Sequence, residues 1–162
     1  MSHIHWYPGH IAKAEKQLKE KLNLVDVIIE VIDARLPISS QYPNIKNLIG
    51  NKPRLTVLNK SDLADEVYLN KWTDFLNQKS GYPVLKTNAS SGKDFSSIIN
   101  TLVKLGEPSI KKIIEKGLLP RPVRVMVVGM PNVGKSSIIN KLIGKSKTKT
   151  VILTCRLRSS LK

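Results

Sequence analysis

Gly129-Met130-Pro131-Asn132-Val133-Gly134-Lys135-Ser136 has the spacing G-x-x-x-x-G-K-S, between an apolar run at Val123 to Val128 and a helix-like segment from Lys135 to about Leu142. In that setting the pattern predicts a loop that wraps an oligophosphate. Glycines let the backbone turn so that successive N–H groups, those of Val133 and Gly134 included, point inward, and the following helix N-terminus adds positive potential. Lys135 is expected to meet the β- and γ-phosphates, Ser136 to offer its hydroxyl to Mg²⁺, and Ser137 to touch the α-phosphate.

Such a loop does not by itself distinguish one nucleoside triphosphate from another. Asn59-Lys60-Ser61-Asp62 does, because a carboxylate at Asp62 can accept from both the ring N–H and the exocyclic amine of guanine. Adenine has no such donor pair and would leave the carboxylate desolvated and unpaired, at a cost of a few kcal/mol. Asn59 is expected to fix the base edge and the neighbouring loop, and the Lys60 stem to cover the face of the base. Thr87-Asn88-Ala89-Ser90 supplies a third loop, in which Asn88 flanks a backbone N–H at Ala89 that could reach the guanine oxygen.

These loops need a scaffold that brings them to one edge. His10 to Leu22 spaces Ile11, Ala14, Leu18 and Leu22 as one face of a helix, and Leu24 to Ile32 is apolar enough for a strand covered on both sides. A second strand is expected at Arg54 to Leu58 and a helix from Asp65 to Lys79 that ends at Gly81. A third strand follows at Pro83 to Lys86, then a helix marked by Phe95, Ile98, Ile99, Leu102 and Leu105 whose end Gly106 and Pro108 loosen. A basic stretch from Lys111 to Arg124 leads to the fourth strand, Val123 to Val128. Strands alternating with helices predict an α/β fold with a doubly wound parallel sheet, and such sheets bind ligands at the carboxyl ends of their strands, where all three loops fall.

The order of the loops carries a resemblance. Ras-like GTPases place the phosphate loop first, whereas here both base-reading loops precede it. That order, with His5-Trp6-Tyr7-Pro8-Gly9-His10, Asp33-Ala34-Arg35-Leu36-Pro37 and Asn59-Lys60-Ser61-Asp62, resembles the circularly permuted ribosome biogenesis GTPase A family from about Ile4 to Lys149. The resemblance implies a P-loop GTPase fold with circular permutation, GTP or GDP with Mg²⁺, and a role in late assembly of the large ribosomal subunit or on its rRNA. It also implies K⁺ at Asn132 and a part in hydrolysis for His10, together with Lys135. A histidine after Pro-Gly can equally well open a helix, and both readings stand for His10. Trp6 and Tyr7 could stack on RNA bases or pack against the domain, and His3 and His5 lack the further ligands of a metal site.

Twenty-seven Lys and Arg against twelve Asp and Glu give a formal charge of +15, which fits a polyanionic partner such as RNA, or a solvated basic surface. At 162 residues one domain is expected. Cys155 is the only cysteine, so no intrachain disulfide can form. Neither a signal peptide nor a bilayer-length apolar run is evident, so a cytoplasmic setting with no membrane partner is expected; no oligomeric state is legible.

The family resemblance calls for a switch threonine and a D-x-x-G turn after the phosphate-loop helix, and neither is found. The expectation is a partial GTPase domain over residues 1–150 and an atypical basic tail over 151–162, truncated or frameshifted, with Val123 to Val128 left as an exposed sheet edge that the short apolar run Val151 to Leu153 could only partly cover. Hydrolysis by such a chain is open. The alternative is a nonhydrolytic or inactive fragment that binds guanine nucleotide or rRNA.

Overall fold

The computed structural model describes residues 9–92, 94–145 and 150–154, with side chains described over 12–144 apart from position 93. His3, His5, Trp6 and Tyr7 lie outside the described residues, as does the side chain of His10, whose backbone belongs to the first helix.

Five parallel strands form one sheet in the order β3-β2-β1-β4-β5, with β1 at Val27–Asp33, β2 at Arg54–Asn59, β3 at Val84–Lys86, β4 at Val123–Val128 and β5 at Thr150–Thr154. Helix α1 spans Gly9–Leu22, α2 Ile45–Ile49, α3 Glu66–Ser80, α4 Phe95–Glu115 and α5 Lys135–Lys145. Every residue of β1 is buried, which explains its near-continuous apolar sequence: a central strand covered on both faces has no solvent side.

Side chains alternate between two cores, as the twofold repeat of a strand requires. Val27, Ile29 and Val31 of β1 face α4 and α5 through Phe95, Ile98, Leu102, Ile138 and Leu142. Ile28 points the other way, toward Ala14 and Leu18 of α1 and Leu48 of α2, and Ile32 packs with Leu69 and Leu76 of α3. Helices thus cover both faces, the doubly wound arrangement expected from the alternation of elements. Each fully buried Val, Leu, Ile or Phe among them contributes about 1.5–3 kcal/mol.

Two expectations are corrected. The helix that Gly106 and Pro108 were expected to loosen runs through both to Glu115. Pro108 and Lys104 are exposed, so water can serve the carbonyl that the missing proline N–H leaves unpaired. Gly106 is buried against β4, and a Cβ there would strike the Val123 side chain; the glycine permits close helix–sheet approach rather than ending the helix. The second correction concerns β4, which is not an edge: β5 pairs with it in parallel, from Val123 opposite Thr150 to Val127 opposite Thr154. Two elements had no expectation at all, the short α2 and a 3-10 turn at Ser61–Leu63.

At the amino end of the sheet Asp26 accepts two bonds from the Arg121 guanidinium, at 2.7 and 3.0 Å, and one from the Arg124 N–H at 2.8 Å. Burial works to raise its pKa, but these donors outweigh burial and hold the carboxyl below its ordinary value. In mid-sheet Glu30 is buried with one carboxylate oxygen lacking a hydrogen-bond partner, and burial pushes its pKa up against the pull of Arg54 and the Thr56 hydroxyl.

Candidate nucleotide-binding site

All four loops that follow β1 to β4 gather at the carboxyl end of the sheet, and register decides which meet. Asp33, last residue of β1, stands opposite Asn59, last residue of β2. The next strand joins them: Thr87 N–H donates to the Leu58 carbonyl at 2.9 Å, and Ser61 N–H to the Thr87 carbonyl at 3.2 Å.

Asn59 is the hub. Its side-chain amide donates to the Val133 carbonyl at 2.8 Å, and its side-chain oxygen accepts from the Ala89 N–H at 3.1 Å, both in buried surroundings. The Asn59–Asp62 loop, the phosphate loop and the Thr87–Ser90 loop therefore meet on one carboxamide. Sequence reasoning placed Asn59 at the base edge and the neighbouring loop; in the structure its carboxamide bonds to two other loops.

Gly134 makes the contact possible. Its φ is +96°, a left-handed conformation that residues with a Cβ rarely adopt, and a Cβ there would run into the Asn59 side-chain nitrogen. Asn132, with φ +63°, is a second left-handed residue of the same loop, and its side chain is exposed. Val133 is buried at 3% exposure, which anchors the loop to the core beneath it.

Lys135 opens α5 and donates to the Met130 carbonyl at 2.6 Å, so its ammonium folds back over the loop it follows. Ser136 and Ser137 are exposed in the first turn of α5, with their hydroxyls available to oxygen-ligated cations or phosphate.

Lys60 adopts a left-handed backbone, φ +62°, at the start of the 3-10 turn that carries Ser61 and Asp62. Its ammonium donates to Asp33 Oδ2 at 2.8 Å and to the Asn132 carbonyl at 2.8 Å. Asp62 is exposed on that turn. Just beyond it Asp65 caps α3 by accepting from the Val67 and Tyr68 N–H groups at 3.0 and 3.1 Å. Asn88 turns inward on its own loop, where its oxygen accepts from Ser90 N–H at 2.9 Å.

Asp33 was read from sequence as a strand end and family signature, with no contact assigned. In the structure its Oδ1 accepts from the Arg35 backbone N–H at 3.0 Å and Arg35 Nε at 2.9 Å, while Oδ2 accepts from Arg35 Nη2 at 2.8 Å as well as from Lys60. The Arg35 hydrogen bonds, against the opposing effect of burial and with help from Lys60, hold its carboxyl well below the usual carboxylate range. The only sequence signal was an acid at the end of an apolar strand with an arginine two residues later. Beside it opens a cavity of about 330 Å³ lined by Asp33, Arg35, Lys60, Pro131 and Asn132 among others.

Residues 124–155 match the 50S ribosome-binding GTPase family. The chain is 46% identical over 147 residues to ribosome biogenesis GTPase A of Bacillus cereus, covering 91% of this chain and 49% of that protein. It is 42% identical over 137 residues to mitochondrial ribosome-associated GTPase 1 of Mus musculus, covering 85% of this chain and 41% of the relative. The GDP-bound structure of TM YlqF superposes with a TM-score of 0.63 at 32% identity, covering 85% of this chain and 55% of that one. The chain therefore spans about half the length of the relatives it matches. With its Asn59–Asp62 and Thr87–Ser90 loops ahead of its phosphate loop on one parallel sheet, it has the fold of a circularly permuted P-loop GTPase domain and is similar over 91% of its length to ribosome biogenesis GTPase A.

Proposed function

We propose that this chain binds GTP and GDP across the carboxyl end of its sheet and acts in assembly of the large ribosomal subunit. The observation that carries the reading is the Asn59 carboxamide, which fastens the loop before Asp62 to the phosphate loop at Val133 and to the loop at Ala89. A single mononucleotide bound there would have its base at Asp62 and Ala89 and its phosphates at Val133, Gly134, Lys135, Ser136 and Ser137. Asn59, Lys60, Ser61 and Asn88 shape the base end.

The exposed Ser136 hydroxyl is a hard oxygen donor and suits Mg²⁺, which when bound neutralises phosphate oxygens. Asn132, exposed in the phosphate loop, offers an amide oxygen of the kind that suits K⁺. Lys135 carries the charge that stabilises phosphoryl transfer to water, and His10 is the candidate to position that water. The charge of +15 supports an rRNA surface as partner. Among the described residues no helix is long and apolar enough to cross a membrane, and the proposed setting is cytoplasmic.

Titration of a fluorescent GDP analogue with GTP and ATP as competitors tests the reading. Displacement by GTP and not by ATP is expected, and Asp62→Asn should weaken binding by about a hundredfold. Equal competition by ATP would remove guanine selectivity, and with it the proposal. Turnover is a separate measurement: phosphate release with and without immature large subunits distinguishes a working GTPase from a nonhydrolytic binding module.

A further inference from the structure

We infer that Asp33 is a positioning residue for the nucleotide site, which acts by holding Lys60 on the carbonyl of Asn132. The inference rests on the proposed guanine-nucleotide reading and assigns a task to a residue outside the phosphate loop and the Asn59–Asp62 string.

Three of the four bonds to the Asp33 carboxylate come from one residue, Arg35, through its backbone N–H, Nε and Nη2. They fix the carboxylate plane from within β1 and its following turn. Oδ2 then directs the Lys60 ammonium, which sits 2.8 Å from it and 2.8 Å from the Asn132 carbonyl. A lysine side chain has four rotatable bonds and places its charge loosely unless both ends of its hydrogen-bonding are set. Here the carboxylate sets one end and the phosphate loop the other.

Lys60 also needs holding. Its backbone is left-handed, as is that of Asn132, and both conformations are disfavoured for residues with a Cβ. One ammonium ties these two unfavourable turns together and roots them in β1, every residue of which is buried. Asp62 lies two residues beyond Lys60, so a displaced Lys60 misdirects the base-reading carboxylate and loosens the phosphate loop together. All the bonds join protein groups, so the ordering of Lys60 is set by folding and is not charged to nucleotide binding.

The test is a double-mutant cycle on the full chain, with GDP affinity as readout. Asp33→Asn is expected to weaken GDP binding about tenfold, and by less than about twofold when Lys60→Met is already present, because Asp33 acts through Lys60. Equal losses in the two backgrounds, or no loss in either, overturn the inference, since a merely structural role would multiply through. Should Asp33→Asn fail to fold, Arg35→Met carries the same cycle: Arg35 is half-exposed and bonds to Asp33 rather than to Lys60. Should the unaltered chain bind no GDP, the proposed function fails and the latch is read by amide hydrogen exchange at Val133 to Lys135. Faster exchange in Asp33→Asn supports it, and unchanged exchange overturns it.

Discussion

The side-chain amide of Asn59 donates to the carbonyl of Val133 at 2.8 Å, across 74 residues of sequence and over the intervening strand β1. The carboxamide is used at both ends, since its oxygen accepts from Ala89. Asn59→Asp, nearly identical in shape, would set an oxygen against the Val133 carbonyl in a buried site. Urea denaturation should show a loss of about 2 kcal/mol, and GDP affinity measured by fluorescence titration should fall more than tenfold.

Gly134→Ala addresses the same contact from the other side. The added methyl meets the Asn59 nitrogen and demands a left-handed backbone of a residue with a Cβ. The sheet and its two cores lie below the loop, so helical content by circular dichroism should be retained. Binding of the fluorescent GDP analogue should be lost.

Asp33 and Glu30 pull the pH dependence of stability in opposite directions. The Asp33 carboxyl is held low by Arg35, so its contribution is present above the unfolded aspartate value of about 3.9 and is lost as the pH falls below it. Burial raises the Glu30 pKa, so the folded chain holds a proton there that the unfolded chain releases. Its contribution is present below the unfolded glutamate value of about 4.3 and is lost as the pH rises through the folded one. Glu30→Gln should therefore stabilise the chain by about 1 kcal/mol at pH 8, with the difference vanishing below about pH 4, as read by urea midpoints at the two values.

Helix α4 lies against β4 at Gly106, where a Cβ would overlap the Val123 side chain. Gly106→Ala should cost about 2 kcal/mol through overpacking, and Val123→Ala in the same chain should recover part of it. Additive losses in denaturant titrations would show that the two positions do not touch.

The candidate site was legible in sequence wherever its chemistry is local. The phosphate loop, the N-K-x-D string and the placement of both at strand ends need only a few adjacent residues and an apolar run before them. Asp33 was read only as a strand end because its tie to Lys60 runs from the end of β1 to the turn after β2, and only register reveals that it stands opposite Asn59. Gly106 and Pro108 misled because propensity treats both as helix breakers, while close packing on Val123 and an exposed proline position let the helix continue. The full pairing of β5 with β4 was disfavoured from sequence, where Val151 to Leu153 offered only partial cover, because a five-residue strand after a basic stretch has no periodicity that separates it from a tail.

The bonds from Arg121 and Arg124 to Asp26 sit beside an exposed connector, Lys116 to Pro120, that leads from α4 into β4. In the unpermuted gene order that connector is where the first and last residues of the domain would fall. Asp26 ties β4 to β1 at this seam through the Arg121 guanidinium and the Arg124 N–H, so the pairing of the two strands does not rest on the connector alone.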